Sequence, residues 1–207
     1  MKLVKQAYPL SELNVEGPNG TTVEFFGSTG SRAYAELGVY KGYTAARIAE
    51  QLAGEGEIHL FDYEDRLVEA ASRVRATGHT KVIEHGNSRR IMDSYNWSLM
   101  GLLAEHGEPI FDYVFIDGAH TWMLDALAFL LVDRLLRVGG YVDFDDYAWT
   151  LAGSPSMKPE VFPDVCRLYS PEQIDERQVA LVVDVLVRPD PRYEELLENK
   201  VFRKREA

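Results

Sequence analysis

From residue 33 onward the chain alternates short apolar runs with segments of helical length, which is the pattern of a parallel sheet wrapped by helices. A run from Tyr34 ends at the acidic Glu36, and further runs cover 58–61, 81–84, 113–116 and 141–144. The run 113–116 has four apolar residues without alternation between Asp112 and Asp117, as expected of a strand buried on both faces. Between the strands, Thr44 is expected to cap a helix carrying Arg47, Ile48 and Leu52. Asp65 is expected to cap a second, with Leu67, Val68, Ala71 and Val74 before Gly78. A third is expected near 94–106. Thr121 opens a long one in which Leu124, Leu127, Ala128, Leu131, Leu135 and Val138 recur, ended by Gly139-Gly140. The fold class this predicts is α/β, with a doubly wound, mostly parallel sheet in one domain over 1–207.

The flanks are less regular. Residues 1–30 carry two strong turn signals, Gly17-Pro18-Asn19-Gly20 and Gly27-Ser28-Thr29-Gly30, and read as an N-terminal cap outside the sheet core of 33–146. Residues 147–165 mix prolines and glycines with aromatic residues and predict a long ordered loop. Ser170-Pro171 reads as a helix start, 179–187 as a helix, and 193–205 as a hairpin turning at Asn199-Lys200. The stretch 147–207 is thus expected to supply an acceptor loop and C-terminal elements.

Composition narrows the partners. With 207 residues, 46% hydrophobic and 27% charged, the chain is ordinary for a globular domain, and its formal net charge of −11 opposes nucleic-acid binding. No apolar run reaches membrane-spanning length and no export signal is evident, so a cytoplasmic protein is expected. Cys166 is the single cysteine, which excludes an internal disulfide. A homo-oligomer stays open.

In an open parallel sheet, ligands bind beyond the carboxyl ends of the strands. Those ends deliver Glu36 with the turn glycines Gly38 and Gly42, then Asp62, Asn87-Ser88, Asp117 with His120, and Asp145-Asp146. The glycine spacing is neither the dinucleotide fingerprint nor a triphosphate loop. Asp62 lies twenty residues past Gly42, the separation at which a carboxylate accepts ribose hydroxyls. Tyr63 is placed to lie on an adenine ring, and Asn87 or Ser88 to bond its edge. Asp117, Asp145 and Asp146 would repel one another unless a cation neutralised them, and oxygen ligands favour Mg²⁺, Ca²⁺ or Mn²⁺. Otherwise these aspartates cap turns in water.

The motif Glu36-x-Gly38-x-x-x-Gly42 resembles the first motif of class I methyltransferases that use S-adenosylmethionine. Together with Asp62, Asp117-Gly-x-His120 and Gly139-Gly140 before Asp145-Asp146-Tyr147, residues 33–150 resemble the metal-dependent O-methyltransferases, of the catechol type and of the antibiotic-sugar type. The resemblance implies a Rossmann-like methyltransferase fold. It implies a cofactor crevice of Glu36, Gly38, Gly42, Thr44, Asp62, Tyr63, Asn87, Ser88 and Asp117. It further implies a divalent metal, magnesium first, on Asp117, Asp145 and Asp146, and His120 as general base beside the catalytic Asp117. The expected reaction is methyl transfer to a hydroxyl of a small molecule, with the loop 147–163, and Phe25 and Phe26, covering the acceptor. A metal-independent methyltransferase on nitrogen or carbon, a nucleotide-dependent oxidoreductase and a non-catalytic S-adenosylmethionine-binding module remain as rivals.

Overall fold

The structure, a computed structural model, describes residues 17–206, so the part of the expected N-terminal cap in 1–16 lies outside the described residues. Strands β1 (Ala33–Leu37), β2 (Glu57–Tyr63), β3 (Val82–Asn87), β4 (Phe111–Ile116) and β5 (Leu136–Phe144) pair in parallel. The hairpin β6 (Tyr193–Leu197) and β7 (Val201–Lys204) closes the sheet antiparallel to β5, giving the order β3-β2-β1-β4-β5-β7-β6. Helices α1 (Gly20–Gly27), α2 (Tyr43–Leu52), α3 (Glu64–Ala76), α4 (Tyr95–His106) and α5 (Trp122–Leu135) lie between the strands or before them. Short helices α6 (Val165–Leu168), α7 (Pro171–Asp175) and α8 (Gln178–Val182) follow β5, and α8 continues as a π-helical turn over Val183–Val187.

Both sheet faces are buried, which explains the unbroken apolar runs. On one face Leu37, Phe61, Val114, Ile116 and Phe144 pack against residues of α4, α5 and α8, such as Leu99, Phe129 and Val182. On the other, Tyr34, Ile58, Leu60, Tyr113 and Phe115 pack against α1, α2 and α3. The strand order reverses between β1 and β4, so the crevice beyond their carboxyl ends is where the topology places a ligand.

Several boundaries differ from the sequence expectation. Helix α5 stops at Leu135, and Val138 stands exposed on β5. The Gly139-Gly140 pair therefore lies within a strand: a Cβ on Gly140 would come 2.9 Å from the carbonyl oxygen of Asp112 on the neighbouring β4. Strand β3 runs on to Asn87 because Asp62 and Tyr63 of β2 pair with Gly86 and Asn87. Thr44 does not cap α2, whose N-cap is the left-handed Gly42, and Asp65 sits in the first turn of α3 rather than at its cap, Tyr63. Thr121 holds the cap position of α5 without a side-chain cap bond. Phe25 and Phe26 are not acceptor-site residues: Phe26 lies in the core against Tyr34 and Tyr113, and Phe25 against Tyr113 and Tyr141.

Candidate active site

The β1 end is built tightly. Backbone bonds link it to its neighbours: Gly38 N–H donates to the Phe61 oxygen at 2.8 Å and Asp117 N–H to the Leu37 oxygen at 2.9 Å. Gly38 has φ +92°, and a Cβ there would lie 2.2 Å from the Asp117 carbonyl oxygen. At Gly42 (φ +74°) a Cβ would meet Ala70 of α3 at 2.9 Å. The glycines thus admit neighbouring backbone. Glu36 is buried and accepts the Tyr34 hydroxyl at 2.8 Å, yet burial pushes its carboxyl up to about 8, with the Asp62 charge adding to the shift and the Tyr34 bond opposing it.

Asp62 ties two loops together. One carboxylate oxygen accepts the Tyr40 N–H at 2.8 Å, the other accepts the Tyr63 N–H at 2.7 Å, and Arg66 stands 3.5 Å away. The guanidinium groups of Arg89 and Arg66 stand over the Tyr63 ring, at 4.4 and 5.4 Å from its centroid. The Ser88 hydroxyl and N–H both donate to Asp93, and Asn87 donates to the Ser88 oxygen. Thr44 accepts the N–H of Asn19 through its hydroxyl at 3.0 Å. Glu36, Asp62, Ser88 and Thr44 thus each already have a hydrogen-bond partner within the protein.

The acidic centre forms around the ends of β4 and β5, where Ile116 pairs with Phe144 and sets Asp117 beside Asp145. Asp117, His120 and Asp146 each place one donor atom within 4.8 Å of the others. His120 Nε2 is 3.5 Å from Asp146 and 3.9 Å from Asp117. Two of the three hold left-handed backbone, His120 at φ +53° and Asp146 at φ +58°, conformations that cost energy in non-glycine residues and gather at functional sites. Burial holds the Asp117 carboxyl well above the usual carboxylate range, with the charges of Asp145, Glu36 and Asp146 raising it further. Asp146 is raised by burial as well, against the opposing influence of His120.

Asp145 adjoins this centre, its charge acting on both Asp117 and Asp146, and it also has partners outside it. One of its oxygens accepts from the Asn19 amide at 2.9 Å and lies 3.4 Å from Lys200, which also reaches buried Asp143 at 3.0 Å. Lys200 stands in the turn of the β6–β7 hairpin, and Asp143 accepts the Tyr113 hydroxyl at 2.7 Å. The sequence marked Asn19 and Lys200 only as turn residues, not as partners of Asp145, because each meets it across more than fifty positions. Trp149 was expected only as part of the covering loop, and its ring centroid is 5.4 Å from that of His120. That loop has a small core of its own, Leu151 with Val165 and Ile174, which Trp149 itself joins along with Met157 and Phe162. The His120 loop is braced from below: Tyr95 donates to buried Asp125 at 2.9 Å and accepts the Ala119 N–H, and a Cβ on Gly118 would strike the Tyr95 ring at 2.6 Å.

Residues 35–147 match the sequence model of a family described as a methyltransferase domain. No curated protein matches the chain in sequence. Among solved structures it resembles the O-methyltransferase TomG of Streptomyces achromogenes, involved in tomaymycin synthesis and solved with S-adenosylmethionine, at 20% identity and TM-score 0.50, over 72% of this chain and 65% of that one. The O-methyltransferase of Bacillus cereus, solved with S-adenosylhomocysteine, matches at 17% identity and TM-score 0.57, over 95% of this chain and 86% of that one. An rRNA methylase of Streptococcus thermophilus matches at 16% identity and TM-score 0.53, over 93% of this chain and 99% of that one. At these identities the structural likeness speaks for the fold.

Proposed function

We propose that this chain, which belongs to the methyltransferase domain family, moves the sulfonium methyl of S-adenosylmethionine to a hydroxyl oxygen of a small-molecule acceptor. The observation that carries the reading is the placement of Glu36: a buried carboxyl bonded to the Tyr34 hydroxyl at the switch point of the sheet, on the same edge as Asp117, His120 and Asp146. Among the described residues this carboxyl has no cationic partner, and the ammonium of the methionine part fits that need. Asp62 fits the ribose, since each of its oxygens keeps acceptor capacity beyond the backbone bond it already makes. The expected net charge balance also favours a small acceptor over RNA, because a chain at −11 repels polyanions.

The acidic centre fits a divalent cation, magnesium among them, because the raised carboxyls of Asp117 and Asp146 would both be relieved by positive charge. Bound there, a cation would acidify the acceptor hydroxyl. Asp117 and Asp146 are the ligands we assign; Asp145, expected from the resemblance as the third, is drawn toward Lys200 and Asn19 instead. His120 takes the proton of the acceptor hydroxyl as the oxygen bonds to the methyl carbon and the carbon–sulfur bond breaks. Asp146, 3.5 Å from Nε2, stabilises the resulting imidazolium. Trp149, against the His120 ring, offers a flat surface for an aromatic or hydrophobic acceptor carrying hydroxyls.

A second reading makes His120 a cation ligand rather than the base, favoured by the closeness of its nitrogen to both aspartates. His120→Ala separates the two. As base, its loss lowers turnover roughly 10²–10⁴-fold and leaves Mn²⁺ affinity intact; as ligand, Mn²⁺ affinity falls with turnover. The parent proposal is tested by transfer of a labelled methyl group to a panel of hydroxylated aromatics, with and without chelator. Transfer that requires a divalent ion supports it, and undiminished transfer in chelator removes the metal.

A further inference from the structure

The β6–β7 hairpin carries an ammonium into the acidic centre. Its turn passes through Asn199, left-handed at φ +59°, and is fixed on both sides. Lys200 N–H donates to the Leu197 oxygen at 3.0 Å, Phe144 N–H donates to the Lys200 oxygen at 2.9 Å, and Arg188 donates to the Asn199 side chain at 2.7 Å. From this anchored backbone the Lys200 side chain, only 15% exposed, places Nζ over the Phe115 ring at 5.0 Å from its centroid. There Nζ lies 3.0 Å from buried Asp143, 3.3 Å from the Phe144 carbonyl oxygen and 3.4 Å from Asp145. Its charge also favours the ionised forms of Asp117 and Asp146.

We propose that Lys200 is a positioning residue that sets how strongly the acidic centre holds a divalent cation, by keeping Asp145 out of the ligand set. This rests on the reading of Asp117 and Asp146 as cation ligands. Lys200 and the Asn19 amide both engage the same oxygen of Asp145, Oδ1. Asp145 therefore stays outside the group of Asp117, His120 and Asp146, whose donor atoms lie within 4.8 Å of one another, although it follows β5 beside the end of β4. The ammonium weakens cation binding in two ways: it withdraws a carboxylate, and its charge opposes a second positive charge between Asp117 and Asp146. A lysine that only pinned the hairpin to β5 would behave differently. Its loss would cost stability and bring no gain in cation affinity.

Mn²⁺ titration, with the free ion read by electron paramagnetic resonance, tests this. Lys200→Met alone leaves buried Asp143 unpaired and endangers folding, so the deciding variant is Asp143→Asn/Lys200→Met. It removes the buried ion pair as a unit, keeps the net charge at −11 and leaves an amide oxygen to accept the Tyr113 hydroxyl. The expected result is Mn²⁺ affinity at least ~10-fold above wild type. Adding Asp145→Asn should abolish that gain, whereas Asp145→Asn in the wild type changes affinity little. Equal or weaker Mn²⁺ binding by the folded double variant overturns the proposal, and so does a gain that survives Asp145→Asn. Binding by the double variant but not by the wild type supports the role of Lys200 and sinks the metal-dependent reading of the native enzyme. Binding by neither overturns the role of Lys200 as well.

Discussion

Glu36→Gln isolates the charge that the cofactor is proposed to neutralise. Burial raises the Glu36 carboxyl from 4.5 to about 8, so its ionised form is disfavoured by roughly 5 kcal/mol at about 1.4 kcal/mol per unit. The folded pKa lies above the unfolded one. Its contribution to stability is therefore fully present below about pH 4.5 and lost as pH rises through about 8, amounting to roughly 3 kcal/mol lost by pH 7. Glutamine cannot ionise and its oxygen can still accept the Tyr34 hydroxyl, so the variant without ligand should gain on the order of 3 kcal/mol at neutral pH and lose that part of the pH dependence. Binding of S-adenosylmethionine should reverse the order. At pH 7 about nine in ten Glu36 carboxyls are protonated if the pKa is about 8, so binding of the ammonium should release close to one proton. The variant should release none from this site and bind about 1.5–3 kcal/mol more weakly. Urea unfolding between pH 5 and 8, and calorimetry in buffers of different ionisation enthalpy, measure both. Unchanged stability profiles together with equal proton release in wild type and variant would refute the reasoning.

Gly38→Ala should cost more than 3 kcal/mol or abolish folding, since its Cβ would overlap the Asp117 carbonyl at 2.2 Å in a left-handed backbone; thermal melting checks it. Lys200→Met should cost about 3–5 kcal/mol by leaving Asp143 and Asp145 without their cation. Asp145→Asn should fold and keep Mn²⁺ affinity whereas Asp146→Asn loses it, as read by electron paramagnetic resonance of free Mn²⁺. His85, which burial lowers to about 4 while its ring stacks on Phe61, stabilises the fold above the ordinary histidine value of 6.5 and loses that contribution as pH falls toward 4. His85→Gln should flatten this acid limb of the stability profile.

The strands were legible where burial on both faces left no room for polar residues, as in Val114, Phe115 and Ile116, and the crevice followed from the parallel order. The end of α5 was not, because Val138 prolongs the helical spacing of Leu131 and Leu135 and the diglycine imitates a helix stop, while pairing of Leu136 with Phe111 decides for a strand. Of the site, the strand-end acids could be placed along the chain, but their partners could not. Asp145 looks like Asp146 in sequence, and a lysine returning on an antiparallel hairpin separates them. Asp62 likewise reads as a free carboxylate, and its bonds to the Tyr40 and Tyr63 backbone depend on how the glycine turn folds back over β2.

The most direct measurement of the central claim is calorimetric titration of the chain with S-adenosylmethionine, S-adenosylhomocysteine and NAD. The account predicts binding of both adenosyl amino acids, weakened by Glu36→Gln and by Asp62→Ala, and no binding of NAD. Binding of NAD with no binding of S-adenosylmethionine would contradict it.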